Sequence, residues 1–212
     1  MSDANNTGTN LTERLRALDS ATLYESGADV TMTPEIRMLS GDGRLAGPAL
    51  TVLCHPGDNL MIHVAVARAQ AGAVLVAQCH DARYGVWGEV LTVAAKARGI
   101  AGLVLDGSVR DLGAIQRLGF PVFARGTALP GTAKSARGAV GVITSCGGAP
   151  VWPGDLIVAD ESGIVVIRLQ EAEHVLARAE ERCRKEATMM DELRGGRTTM
   201  DLFGLDERVI GE

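Results

Sequence analysis

A chain of 212 residues, 46% hydrophobic and 22% charged, has the size and composition of an ordinary globular domain, which excludes a fibrous or disordered protein. Its formal net charge of −5, from 21 basic and 26 acidic residues, offers no basic field for gathering polyanions, so nucleic-acid binding by a charged face is disfavoured. Aromatic residues make up 3% and there are 26 glycines, a profile of Ala/Val/Leu packing between tight turns that suits a layered α/β fold.

Residues 1–10 are polar, lack the basic and apolar regions of a signal peptide, and are expected to trail as a flexible arm. The remainder, 11–212, reads as one domain. Short helical patterns cover residues 11–18 and 20–25, with Asp19 and Ser20 as the cap between them. Residues 47–53 read as a strand, and Gly57-Asp58-Asn59 precede an apolar-periodic helix through Leu60, Ile62, Val64, Ala65 and Ala69. Residues 73–77 and 101–105 are continuous apolar runs of strand length, residues 88–98 and 109–118 have helical spacing, and residues 121–124 form a further strand. This alternation predicts parallel strands with right-handed crossovers. Beyond it, residues 139–144, 151–152, 155–159 and 164–167 are short strands punctuated by Gly-Gly, Pro-Gly-Asp and Asp-Glu-Ser-Gly, which marks an antiparallel or barrel-like layer. A long charged helix over 170–194 and a polar tail follow. No apolar run approaches the roughly 18 residues that span a bilayer. Cys54, Cys79, Cys146 and Cys183 are scattered without a CxxC pair, so reduced thiols in a cytoplasmic, soluble chain are expected.

In parallel sheets ligands bind beyond the carboxyl ends of the strands. Two loops there are loaded with chemistry. One, residues 79–88, opens a helix at Gly88-Glu89-Val90-Leu91, whose free first-turn amides suit a carboxylate; Gly88 reads equally as a plain helix entry with Glu89 as a favourable first-turn acid. The other is Asp106-Gly107-Ser108-Val109-Arg110-Asp111, read as a turn at Asp106-Gly107, a cap at Ser108, and Arg110 and Asp111 in the first helical turn. Arginine there opposes the helix dipole. Its planar donors suit a carboxylate or enolate oxygen, and Asp111 is a hard oxygen ligand of the kind Mg²⁺ or Mn²⁺ accepts; a solvated ion pair is the plain alternative. Of the four histidines only His80 falls near these loops, and none has the spacing of a zinc pair. Cys146-Gly147-Gly148 reads as a close backbone crossing rather than a nucleophile. Neither GxGxxG nor GxxxxGK[ST] occurs.

Trp87-Gly88-Glu89-Val90-Leu91, then twenty residues between Glu89 and Arg110-Asp111, with LGFPVFARG (118–126), SCGG (145–148), PGD (153–155) and VADESGIVVI (158–167), resembles the RraA-like proteins. That family includes 4-hydroxy-4-methyl-2-oxoglutarate/4-carboxy-4-hydroxy-2-oxoadipate aldolases. The likeness covers roughly residues 20–205.

The resemblance implies a swivelling β/β/α-type domain that assembles as a homotrimer or homohexamer with sites near subunit interfaces. It implies that Gly88, Glu89, Val90 and Leu91 bind a pyruvyl carboxylate, that Arg110 meets the keto or enolate oxygen, that Asp111 holds a divalent cation, and that Glu89 lies beside a proton-carrying water. It also implies an acid from a neighbouring subunit, whose position within 171–192 is left unassigned. Retro-aldol cleavage and oxaloacetate decarboxylation share one pyruvate enolate, so one site serves both. No lysine falls in the two loops, which favours metal-dependent over Schiff-base chemistry. His80, Arg83 and Arg125 are candidates for reading the distal part of the substrate. Two other activities in the family's orbit are a non-catalytic regulator that binds a ribonuclease, for which a metal ligand is superfluous, and a methyltransferase, for which no nucleotide loop is present.

Overall fold

A computed structural model describes residues 11–206; the expected arm over residues 1–10 and the end of the polar tail lie outside the described residues. In chain order, residues 11–16 are helical (α1), followed by Ser20–Tyr24 (α2), Val30–Thr31 (β1), Arg37–Ser40 (β2) and Leu45–Leu53 (β3). Then come Leu60–Arg68 (α3), Val74–Gln78 (β4), Gly85–Trp87 (β5), Glu89–Ala97 (α4), Gly102–Val109 (β6), Leu112–Leu118 (α5) and Val122–Thr127 (β7). Ala139–Val140 (β8), Thr144–Cys146 (β9), Ala149–Val151 (β10), Leu156–Asp160 (β11), Gly163–Ile167 (β12), Ala172–Arg194 (α6) and Thr199–Phe203 (α7) complete the chain.

The architecture is mixed α/β. Strands β3, β4, β6 and β7 run parallel in that order, continued antiparallel by β11, β12 and β1 beyond β3 and by β2 beyond β7. Strand alternation sorts the apolar runs into two layers although both faces are covered. Leu75, Leu103 and Leu105 pack under α3, α4 and α5 with Ile62, Leu91, Ala95 and Ile115. Val74, Val76, Val104 and Phe123 face the other way, onto Cys146, Val151, Ile157 and Ile164. A third cluster fastens α1, α2 and α6 to the outside of β11 and β12 through Leu15, Leu23, Val158, Val165, Val175 and Leu176. The parallel core and the antiparallel layer are thus both present as expected.

Several boundaries differ for physical reasons. Residues 106–109 continue β6 instead of turning: Ser108 pairs with Gly85 of β5 and Gly126 of β7, and Asp106 is satisfied on the strand by Arg125 and by the Gly147 amide at 2.9 Å. The following helix therefore starts at Leu112, and Ser108 caps nothing. The expected strand over 139–144 is split into β8 and β9 by a break at residues 141–143. Asp19 precedes α2 without capping it, because its carboxylate pairs with Arg44 at 2.6 Å. Gly147 and Gly148, both at positive φ, form the two-residue hairpin loop between β9 and β10, and a Cβ on Gly147 would sit 2.8 Å from Ile36. That is the close crossing expected around a buried Cys146, whose thiol is pushed up by burial. Among the described residues no helix is long and apolar enough to cross a membrane.

Candidate active site

The carboxyl ends of β5 and β6 deliver the two chemical loops to one cavity of about 350 Å³. Trp87 anchors the first loop: its ring stacks on Phe120 at 5.8 Å, and its indole N–H donates to Thr92 in α4 at 2.7 Å. This fixes the start of α4 against the sheet. Gly88 is the N-cap residue, so the first-turn amides of Val90 and Leu91, which line the cavity, have no carbonyl partner within the helix.

Arg110 leaves the end of β6 with its backbone N–H bonded to the Trp87 carbonyl at 2.7 Å. Asp111 follows at φ 56° and ψ 35°, in the left-handed region. Among the described residues only His80 shares that sign of φ outside glycine. Such a conformation costs on the order of 1–3 kcal/mol and persists where the surroundings enforce it. Here it turns the carboxylate under α4: Oδ2 lies 3.4 Å from the Glu89 amide and Oδ1 lies 3.4 Å from Arg110 Nε. Arg110 therefore does not stand in a helix's first turn. It stands at a strand end, so the dipole conflict that singled it out in sequence is absent.

Glycine is required on both sides of this pair. A Cβ on Gly88 would meet Asp111 Oδ2 at 2.7 Å and Arg110 Cγ at 3.0 Å, and one on Gly85 would meet the Ala128 carbonyl at 2.5 Å and Arg110 Cβ at 2.8 Å. The arginine side chain lies directly over the glycine backbone.

Of the residues predicted from sequence, Gly88, Val90, Leu91, Arg110 and Asp111 line the cavity. Glu89 opens α4 with its side chain exposed and its amide toward Asp111, so it borders the cavity without lining it. The distal candidates are placed elsewhere. His80 is exposed beside Gln78, Arg83 is occupied by Asp81, and Arg125 is held by Asp106 and Glu35. Asn59, His63, Thr132 and Lys134 form the remaining wall. Their signal was partly readable: Asn59, the N-cap residue of α3, and His63 within it are four apart. Lys134 gives none, because its loop reaches the cavity only through tertiary hydrogen bonds. The imidazole of His63 is held below its usual pKa by burial and by the Lys134 charge, which keeps it neutral at physiological pH.

Asp111 fits the part of a divalent-cation ligand. Both its oxygens make only long contacts, its side chain is 39% exposed, and it faces a cavity with room for water and substrate oxygens. A single carboxylate with several waters is a usual way of holding Mg²⁺.

With this geometry in hand, the comparisons are consistent. Residues 8–166 match the model of the RraA-like (Aldolase/RraA) family, and the chain belongs to that family. A protein of Halalkalibacterium halodurans named "Putative 4-hydroxy-4-methyl-2-oxoglutarate aldolase" is 40% identical over 152 residues, 71% of this chain and 72% of that protein. An uncharacterized protein from Pseudomonas syringae pv. tomato superposes with a TM-score of 0.81 at 29% identity, covering 90% of this chain and 91% of its own. RraAS2 of Streptomyces coelicolor, described as an unusual member of the RNase ES inhibitor RraA protein family, gives 0.76 at 29% identity, covering 85% and 96%.

Proposed function

We propose that this protein is a divalent-metal-dependent pyruvate aldolase. In this reading it cleaves 4-hydroxy-4-methyl-2-oxoglutarate or 4-carboxy-4-hydroxy-2-oxoadipate to pyruvate plus pyruvate or oxaloacetate, with oxaloacetate decarboxylation as a side activity. The observation that carries the reading is the convergence of Arg110, Asp111 and the unpartnered α4 amides on one cavity in a chain of this family.

The Val90 and Leu91 amides, with Gly88 and Glu89 at the helix start, receive the C1 carboxylate of the 2-oxo acid. The Arg110 guanidinium donates to the C2 keto oxygen. When the C3–C4 bond breaks, its electron pair moves into the enolate and negative charge grows on that oxygen, where Arg110 already stands. Asp111 would hold the Mg²⁺ or Mn²⁺ ion. When bound, that ion supplies further positive charge to the developing enolate. In aldol cleavage the C4 hydroxyl gives up its proton as C4 becomes a carbonyl, and C3 is then protonated to pyruvate; in this reading Glu89, at the cavity's border, serves that proton through water. In decarboxylation CO₂ leaves and the same enolate is protonated. Residues 11–212 act as one cytoplasmic unit, assembled as a homotrimer or homohexamer with a neighbouring acid completing the proton path.

The test is pyruvate release from both substrates with Mg²⁺ or Mn²⁺, with and without EDTA. Metal-dependent release supports the reading, and equal rates with chelator remove the metal-dependent mechanism. The likeness to proteins described as a member of an RNase ES inhibitor family and as an RNA-processing inhibitor favours one second reading, a ribonuclease-binding regulator. Capture of a ribonuclease by protein devoid of lyase activity would establish it.

A further inference from the structure

The α4 amides and Arg110 account for one side of the cavity. Thr132, Lys134, Asn59 and His63 also line it. Four observations concern this wall.

First, the loop carrying Lys134 is pinned on both sides. Asp58, 4% exposed, accepts the amides of Ser135 at 2.7 Å and Ala136 at 2.9 Å while also accepting that of Leu60 in α3 at 2.8 Å. On the near side, the Asn59 amide donates to the Ala133 carbonyl at 3.1 Å and the Ala133 amide to the Gly57 carbonyl at 3.0 Å. The ammonium therefore swings from a fixed base. Second, no carboxylate among the described residues pairs with Lys134.

Third, two buried polar atoms of this wall lack partners: Asn59 Oδ1, whose amide nitrogen is already committed to the Val86 carbonyl at 2.8 Å, and His63 Nε2. An unmet buried group costs roughly 1–3 kcal/mol; for Asn59 Oδ1, an acceptor, an ordered water or a ligand hydroxyl removes that deficit, and a carboxylate does not. Fourth, the same loop approaches the catalytic arginine, since a Cβ on Gly131 would lie 3.7 Å from Arg110 Nη1. A molecule engaging Arg110 is therefore within the span of the loop that bears Lys134.

We propose that Lys134, on its Asp58-clamped loop, determines specificity by receiving the distal carboxylate of a dicarboxylic 2-oxo acid whose first carboxylate and keto oxygen lie at α4 and Arg110. This rests on the aldolase reading for the seating of the proximal end. With His63 neutral, Lys134 is the cation of that wall, and a charge-assisted hydrogen bond from it is the interaction that a methyl group in place of the carboxylate forfeits.

The two arms of the test are 2-oxoglutarate and 2-oxopentanoate, which differ only in carrying a carboxylate or a methyl at C5. Their binding to the full chain is measured by calorimetry in Mg²⁺ buffer, without turnover. Wild-type protein should prefer 2-oxoglutarate by about ten-fold or more. Lys134→Met should erase that preference while leaving 2-oxopentanoate and pyruvate binding unchanged, and Lys134→Arg should keep most of it. A wild type without the preference, including one that binds neither ligand, or a Lys134→Met variant that retains it, overturns the proposal. So does a ligand-sized mass gain on Lys134 after borohydride reduction, which would make the lysine a covalent nucleophile. Failure of pyruvate release with intact dicarboxylate preference would sink the aldolase reading alone.

Discussion

Gly88→Ala separates the catalytic geometry from the fold more sharply than removal of any charged group. The backbone of Gly88 is extended, at φ −159° and ψ −166°, so alanine meets no conformational penalty there. Its Cβ, however, would sit 2.7 Å from Asp111 Oδ2 and 3.0 Å from Arg110 Cγ, where ordinary contact begins near 3.4 Å. Asp111 must retreat by about 0.7 Å and Arg110 by about half that. Both side chains are more than a third exposed and free to move outward, so the stability cost should stay below the roughly 1–3 kcal/mol typical of overpacking a closed core. Catalysis should not escape. A displacement approaching 1 Å of a positioned group costs on the order of 10²-fold in rate. Pyruvate release coupled to lactate dehydrogenase reads the first effect, and a thermal melt reads the second. A Gly88→Ala protein with near wild-type turnover would refute the placement of Asp111 and Arg110 at the reacting centre.

Arg168→Ala should destabilise by about 2–3 kcal/mol, because it leaves the 5%-exposed Asp155 carboxylate with the Trp152 amide but no cation and removes the guanidinium lying 3.4 Å over the Trp152 ring; the melting midpoint should fall by roughly 5–10 °C, and an unchanged midpoint contradicts the pair's role. Burial alone would raise the Asp160 carboxyl, but hydrogen bonds from the Ser20 hydroxyl and amide and the Ser162 and Gly163 amides outweigh it and hold the group below its ordinary value. Its folded pKa being the lower, its contribution is present above the unfolded carboxylate range and lost as pH falls through the folded value. Asp160→Asn should therefore weaken the fold at pH 7 and converge with wild type in strong acid, as denaturant midpoints across pH will show. A thiol hydrogen bond to Cys54 and burial push Cys79 upward, and burial does the same for Cys146, so a disulfide reagent should titrate Cys183 rapidly in the native protein and the other three only after unfolding.

The parallel core was legible because β4 and the first half of β6 are unbroken apolar runs and α4 has a clear apolar stripe. The second half of β6 was not: Asp-Gly-Ser is turn chemistry locally, and only pairing to β5 and β7 with capture of Asp106 by Arg125 makes it a strand. Gly85–Trp87 was likewise hidden, since a three-residue strand has no periodicity to read. Arg110 and Asp111 stand out in sequence for their chemistry and do line the cavity, although the helical placement that drew attention to Arg110 was mistaken. The wall of Asn59, His63 and Lys134 was legible only in the spacing of the first two; Lys134 reaches them through hydrogen bonds of Asp58 and Asn59 to a loop more than seventy residues away.

A pyruvate aldolase must make and hold a pyruvate enolate in this cavity. Pyruvate incubated with the protein and Mg²⁺ in D₂O, followed by proton NMR, reports that capacity without any cleavage step. Wild-type protein should wash out the methyl signal, and Arg110→Ala should slow the exchange by about 10²-fold or more. A methyl signal that persists with wild-type protein, or washes out equally with Arg110→Ala, would contradict the central claim.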